Sequence, residues 1–249
     1  MNVYDFFRRF SYVLISGMAT MGGALPFLFF THRKLGDRAI DALMGFAAGI
    51  MLAISAFSLT VPSIETGGII RFTVGFFFGG VVASLADRFS PHEHLLKGHE
   101  GPDAKRLRGA WLFLITMAIH NLPEGMAVGV SSDTPHAFSV AMAIGFQNIP
   151  EGAATIAALV AAKYKKGKAI FLTFLTGVLE ILGGLIGIML TLISQKMLPY
   201  LLALAAGAMV YVVSDEVIPE THSKGNEFLA TWSILAGFLA MAIFDVALG

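Results

Sequence analysis

Apolar residues run almost unbroken for about 20 positions at a time along this chain, then give way to short polar breaks. A helix of about 20 apolar residues crosses about 30 Å of hydrocarbon at about 1.5 Å per residue. Eight such runs can be placed, at roughly 10–30, 40–62, 69–89, 110–131, 137–162, 169–194, 198–219 and 227–248. The pattern predicts an all-α membrane protein of eight transmembrane helices. One sizeable polar loop stands between them, 90–109, SPHEHLLKGHEGPDAKRLRG. No second, soluble domain fits, so 1–249 reads as a single polytopic domain. Arg8 and Arg9 ahead of an apolar stretch also suit a signal peptide, but the length of the run favours a retained first helix.

Composition sharpens the picture. Hydrophobic residues make up 56% of the 249, and charged residues 14% against about 25% in soluble domains. A disordered chain is excluded, and a soluble core would be too small to hide so much apolar surface. Seventeen basic residues balance 17 acidic ones, so nothing calls for a nucleic-acid partner. There is no Cys, hence no disulfide, thiolate ligand or cysteine nucleophile. Lys and Arg divide 13 to 4 between the two sets of loops, with Arg8, Arg9, Arg71 and Lys196 on the poorer side. The richer side is expected to be cytoplasmic, which puts both termini outside.

A short internal repeat is visible. AAGIM (47–51) precedes Pro62 in the second run, and AAGAM (205–209) precedes Pro219 in the seventh. By the charge count these runs point in opposite directions, as in transporters built on inverted repeats.

The informative residues are polar ones in an apolar solvent. Run four carries His120-Asn121-Leu122-Pro123-Glu124-Gly125, and run five Gln147-Asn148-Ile149-Pro150-Glu151-Gly152. An ionisable group at mid-bilayer costs at least about 2.5–3.5 kcal/mol, so Glu124 and Glu151 need partners. No Lys or Arg lies inside these two runs, nor in runs six and seven away from their ends; a bound cation would supply the missing charge. Positions i and i+4 share a helix face, which groups His120 with Glu124 and Gln147 with Glu151. Both motifs lie about three turns from the turn at 132–136, near the midplane. Pro123 and Pro150 leave the carbonyls of Ile119 and Phe146 without a helical donor, and such carbonyls are tolerated where they line a polar cavity. Glu180 in run six is another lone carboxylate at depth. Met51 taken alone reads as packing, and Ser55 and Ser58 as bonding their own backbone.

One imidazole (His120), three carboxylates (Glu124, Glu151, Glu180) and the amide oxygens of Asn121, Gln147 and Asn148 suit Zn, Fe, Mn or Ni better than Mg or Ca. Three carboxylates also leave room for two ions. On the cytoplasmic side, Asp87, His92, Glu93, His94, His99 and Glu100 gather at one end of the loop, and Asp215, Glu216, Glu220 and His222 end run seven. They read either as a solvated surface or as a transient site for departing metal.

HNLPEG and QNIPEG on consecutive helices, with eight spans and outward termini, resemble the ZIP (Zrt/Irt-like) divalent-metal transporters. Glu180, SPHEHLLKGHEGPDA and the closing AGFLAMAIFDVALG look like the bacterial GufA-type branch. The resemblance covers nearly the whole chain and implies a 3+2+3 inverted-repeat helix bundle transporting Zn2+, often Cd2+, sometimes Fe2+ or Mn2+. It implies a first metal at His120, Glu124, Gln147, Glu151 and Met51, and a second at Asn121, Asn148 and Glu180 with Glu124 and Glu151 bridging. Asp87, His92, His94, Asp215 and Glu216 resemble exit-side ligands. An elevator-like motion of spans one, four, five and six and a homodimer are further implications. The sequence departs from many members at Gln147, where they carry His, and from close relatives at Asn148, where they carry Asp.

The metal is then cargo and no cofactor is expected; the partners are the divalent ion, the bilayer and a second copy. Two rival readings stand against this one. An intramembrane metalloprotease needs H-E-x-x-H, which HEHLL (92–96) and HEGPD (99–103) do not supply. A purely structural bundle gives no reason for buried carboxylates. No P-loop is present to couple ATP directly.

Overall fold

The computed structural model describes residues 2–29, 36–89, 92–94, 98–100, 109–161 and 164–248. Helices dominate: α1 (Val3–Phe29), α2 (Asp37–Ala53), α3 (Val61–Phe89), α4 (Gly109–Ser131), α5 (Ala137–Ala161), α6 (Lys166–Ile193), α7 (Leu198–Val212), α8 (Ile218–Thr221) and α9 (Glu227–Leu248). Two three-residue strands, β1 (His92–His94) and β2 (Gly98–Glu100), pair antiparallel with Glu93 opposite His99. They occupy part of the segment expected to be plain loop, where pairing satisfies backbone groups locally. Residues 90–91, 95–97 and 101–108 of that loop lie outside the described residues.

Among the described residues, four apolar helical stretches are long enough to cross a membrane: Asp37–Arg88, Lys166–Ile193, Gln195–Thr221 and Glu227–Ala247. The first is 52 residues long and is broken at Gly68, whose φ of 75° and ψ of 166° are open essentially to glycine alone. The expected break between 62 and 69 thus falls on Gly68, not at Pro62.

Pro62 is absorbed because π-helical turns precede it, over Ile54–Thr60. Their i→i+5 bonding re-pairs the carbonyls that a proline leaves open. The same device recurs between α7 and α8, where Val213–Val217 is π-helical and Pro219 follows. In both places the first residue of the π segment shares its N–H between carbonyls three and four residues back. Ile54 meets Ile50 and Met51; Val213 meets Met209 and Val210.

Glycines divide the helices into two groups. At Gly125 a Cβ would collide with the Glu180 carbonyl, at Gly129 with that of Gly184, and at Gly183 with that of Leu122, which seals α4 to α6. Gly23 and Gly152 join α1 to α5, and Gly17 and Gly177 join α1 to α6. In the other group Gly49 and Gly237 join α2 to α9, and Gly79 and Gly207 join α3 to α7. These near-contacts all fall within {α1, α4, α5, α6} or within {α2, α3, α7, α9}. Between the groups α2 packs on α5 and α4 on α7, through larger buried side chains including Met51, Ile144, Leu202 and Met209. Outward faces carry exposed Phe77, Phe228, Trp232, Ile243 and Val246, as lipid contact requires.

Polar clusters clamp the ends. Arg9 is buried between Asp5 and Asp133, and Gln195 Nε2 donates to Asp133 Oδ2 at 2.6 Å. At other points, Asn226 Nδ2 donates to Asp41 Oδ2 at 2.8 Å and Lys224 sits 3.4 Å from Asp37.

Candidate metal site

Helices α4 and α5 run through their prolines, so Pro123 and Pro150 lie inside continuous helix and the two N-x-P-E-G strings keep helical spacing. Gly125 lets α4 approach α6 closely enough to bring Glu180 beside the pair. Glu124, Glu151 and Glu180 lie within Coulombic range of one another in all three pairings, and His120 is in range of Glu151. Glu124 is 1% exposed, Glu180 0% and Glu151 8%.

The hydrogen bonds are specific. Gln147 Nε2 donates to Glu124 Oε1 at 2.7 Å. Asn148 Nδ2 donates to Glu180 Oε2 at 2.6 Å and to the Ser16 carbonyl at 2.9 Å, which ties α1 into the cluster. His120 Nε2 lies 2.8 Å from Glu216 Oε2, the latter delivered by the π turn after α7. Five buried oxygens then have no hydrogen-bond donor among the described residues: Asn121 Oδ1, Glu124 Oε2, Gln147 Oε1, Asn148 Oδ1 and Glu180 Oε1. Buried acceptors without donors are costly, about 1–3 kcal/mol each and more for charged ones. All five are hard or neutral oxygen donors that a divalent cation would satisfy.

The residues named from sequence are placed unevenly. Gln147 meets Glu124, and Asn148 meets Glu180. His120 is turned toward Glu216. Met51 is 1% exposed within the apolar cluster between the helix groups. Among the described residues no three His, Asp or Glu side chains converge tightly enough to cage an ion by themselves. Binding at Gln147 therefore requires its amide to present Oε1 in place of the Nε2 that now faces Glu124. Of the residues expected on an exit side, Asp87 is buried at the end of α3, with Tyr211 Oη donating to Asp87 Oδ2 at 3.4 Å. Asp215 is half-buried and Glu216 buried. The backbones of His92 and His94 are described as β1, which runs beside α4, but their side chains lie outside the description.

One cluster escaped the sequence reading. Asp245 near the end of α9 accepts from Ser58 Oγ at 3.0 Å and from Ser139 Oγ at 3.3 Å, and stands 3.5 Å from His136 Nδ1. Ser58 was expected to bond its own helix backbone; the π turn directs it across to α9 instead, whereas Ser55 does bond the Met51 carbonyl. A lone Asp in the last apolar run was the available signal, of the same kind that singled out Glu180.

A bundle of long apolar helices with acid and amide oxygens buried together defines a membrane protein with an internal polar site. Comparison with known proteins agrees. The family model described as ZIP Zinc transporter matches residues 87–245. Zinc transporter ZIPB of Bordetella bronchiseptica is 41% identical, over 94% of this chain and 82% of its own length. Zinc transporter GufA of Myxococcus xanthus is 39% identical over 95% and 97%. Zinc transporter ZIP11 of Homo sapiens is 31% identical over 94% of both. The chain belongs to the ZIP zinc transporter family.

Proposed function

We propose that this protein carries divalent metal, Zn2+ first, into the cytoplasm through the α4–α5 site. The observation that carries the reading is the set of five buried oxygens without a donor among the described residues, around three mutually close carboxylates. Family membership and relatives named as zinc transporters point the same way. Glu124 and Glu151 hold the ion, His120, Gln147 and Met51 complete its first position, and Asn121, Asn148 and Glu180 complete a second. The role is transport and not catalysis.

Several features support eight spans with both termini outside. The 52-residue stretch Asp37–Arg88, at about 1.5 Å per residue, is long enough to cross twice about its break at Gly68. Arg9, Asp133 and Gln195 meet at one end, and His136 meets Asp245 there. These contacts support the charge-poor loops at 132–136 and 194–197 sharing one side with both termini, in line with the Lys and Arg count. The paired π turns before Pro62 and Pro219 favour an inverted repeat. The glycine-sealed group {α1, α4, α5, α6} holds the ion-binding helices, which favours their moving as one body against {α2, α3, α7, α9}.

The test is metal-dependent uptake by purified protein in liposomes, across Zn2+, Cd2+, Fe2+ and Mn2+, with and without imposed pH and voltage gradients. Saturable Zn2+ uptake is expected. A sealed, protein-containing vesicle that takes up none of these ions would reject the reading.

A further inference from the structure

Asn148 on α5 reaches two other helices at once. Its Nδ2 donates to the Ser16 carbonyl on α1 at 2.9 Å and to Glu180 Oε2 on α6 at 2.6 Å. An amide nitrogen carries two hydrogens, so both donors are used. Ser16, Asn148 and Glu180 are all 0% exposed. These partners dictate which way the amide faces. A backbone carbonyl only accepts, so turning the amide over would set Oδ1 against the Ser16 oxygen, beside the Glu180 carboxylate. Glycines let the three helices come this close. A Cβ at Gly17 would collide with the Gly177 carbonyl, and one at Gly152 with the Thr20 carbonyl, each within about a turn of the bonded residues. Two buried oxygens gathered around one point repel unless something positive lies between them. In this structure the N–H2 end of an amide lies there.

We propose that the Asn148 amide stands in for a cation between Ser16 and Glu180, and keeps α1, α5 and α6 joined whether or not the metal site is loaded. The proposal rests on the α4–α5 metal site and deepens it. Asn148 Oδ1 and Glu180 Oε1 have no donor among the described residues, so they remain for the second ion. That ion is then added to helices already held together. A carrier whose moving helices were joined by cargo alone would loosen each time the cargo left. Here hydrogen bonds take that part, and the second position empties without opening the group {α1, α4, α5, α6}.

Thermal unfolding of the full chain in detergent, with EDTA or with saturating Zn2+, tests this. Asn148→Asp keeps the shape but donates nothing and adds a charge beside Glu180. With EDTA its Tm should fall by about 4–8 °C, roughly 2–4 °C for each bond lost. Zn2+ should recover most of that loss, because the ion now fills the place of the amide. Asn148→Ala removes the oxygen as well, and its Tm should stay low in both conditions. Should Asn148→Asp not fold, the exchange Asn148→Asp with Glu180→Gln returns an amide donor between the same two positions. Folding of that pair with EDTA supports the proposal, and its failure to fold overturns it. An Asn148→Asp variant as stable as wild type with EDTA overturns it too. So does a loss that Zn2+ does not repair while Zn2+ stabilises wild type. Should Zn2+ stabilise neither wild type nor any variant, the metal-site reading fails instead.

Discussion

At the scale of single residues, the proposed site is a set of buried polar atoms several of which have no donor among the described residues. Gln147 shows what this costs. Its amide now donates to Glu124, and it must reverse to offer Oε1 to an ion. Gln147→His should tighten Zn2+ relative to Mn2+, because nitrogen ligands favour the later metal. It should also make uptake fall more steeply between about pH 7 and 6, since a second imidazole with an ordinary pKa of about 6.5 must be deprotonated to bind. Zn2+ and Mn2+ uptake by both forms over that range checks the point; an unchanged ratio with an unchanged slope means residue 147 does not ligate. On the exit side, replacing His92 and His94 together with Ala should alter rate and keep metal order, as read in a competition assay. The carboxylates of the site were legible in the sequence because a lone charge in an apolar run stands out. Their hydrogen-bond partners were less so. The bond from Asn148 to the Ser16 carbonyl and the approach of Glu216 to His120 depend on how α1 and α7 pack, which no local pattern records.

Individual elements tell a similar story. Apolar run length located most helices to within a few residues. It could not reveal the π turns at Ile54–Thr60 and Val213–Val217, since these turns have no residue signature beyond a nearby proline. Nor could it reveal the hairpin of β1 and β2, whose charged residues looked like solvated loop. Glycine positions, by contrast, were visible but uninterpretable until helix neighbours were known. Their packing role makes a prediction. Gly125→Ala places a methyl against the Glu180 carbonyl and should destabilise the α4–α6 seam by about 1–3 kcal/mol. Gly80→Ala meets its nearest atom at 3.9 Å and should be neutral or mildly stabilising. Thermal unfolding of the two variants in detergent distinguishes them, and equal melting temperatures would contradict the tight seam.

For the molecule as a whole, sidedness is the coarse claim. The chain has no Cys, so single cysteines can report topology on an otherwise silent background. Lys196→Cys should react from outside with an impermeant maleimide, and Ser223→Cys only after the membrane is opened; both positions are exposed. The reverse pattern would invert the orientation and turn uptake into export. The most direct measurement of the central claim is Zn2+ entry into liposomes containing wild type, Glu124→Ala or Glu151→Ala, each verified as folded and inserted. The buried, mutually close carboxylates predict saturable entry with wild type and almost none with either variant. Entry at the wild-type rate through either properly inserted variant would show that metal does not pass through this site.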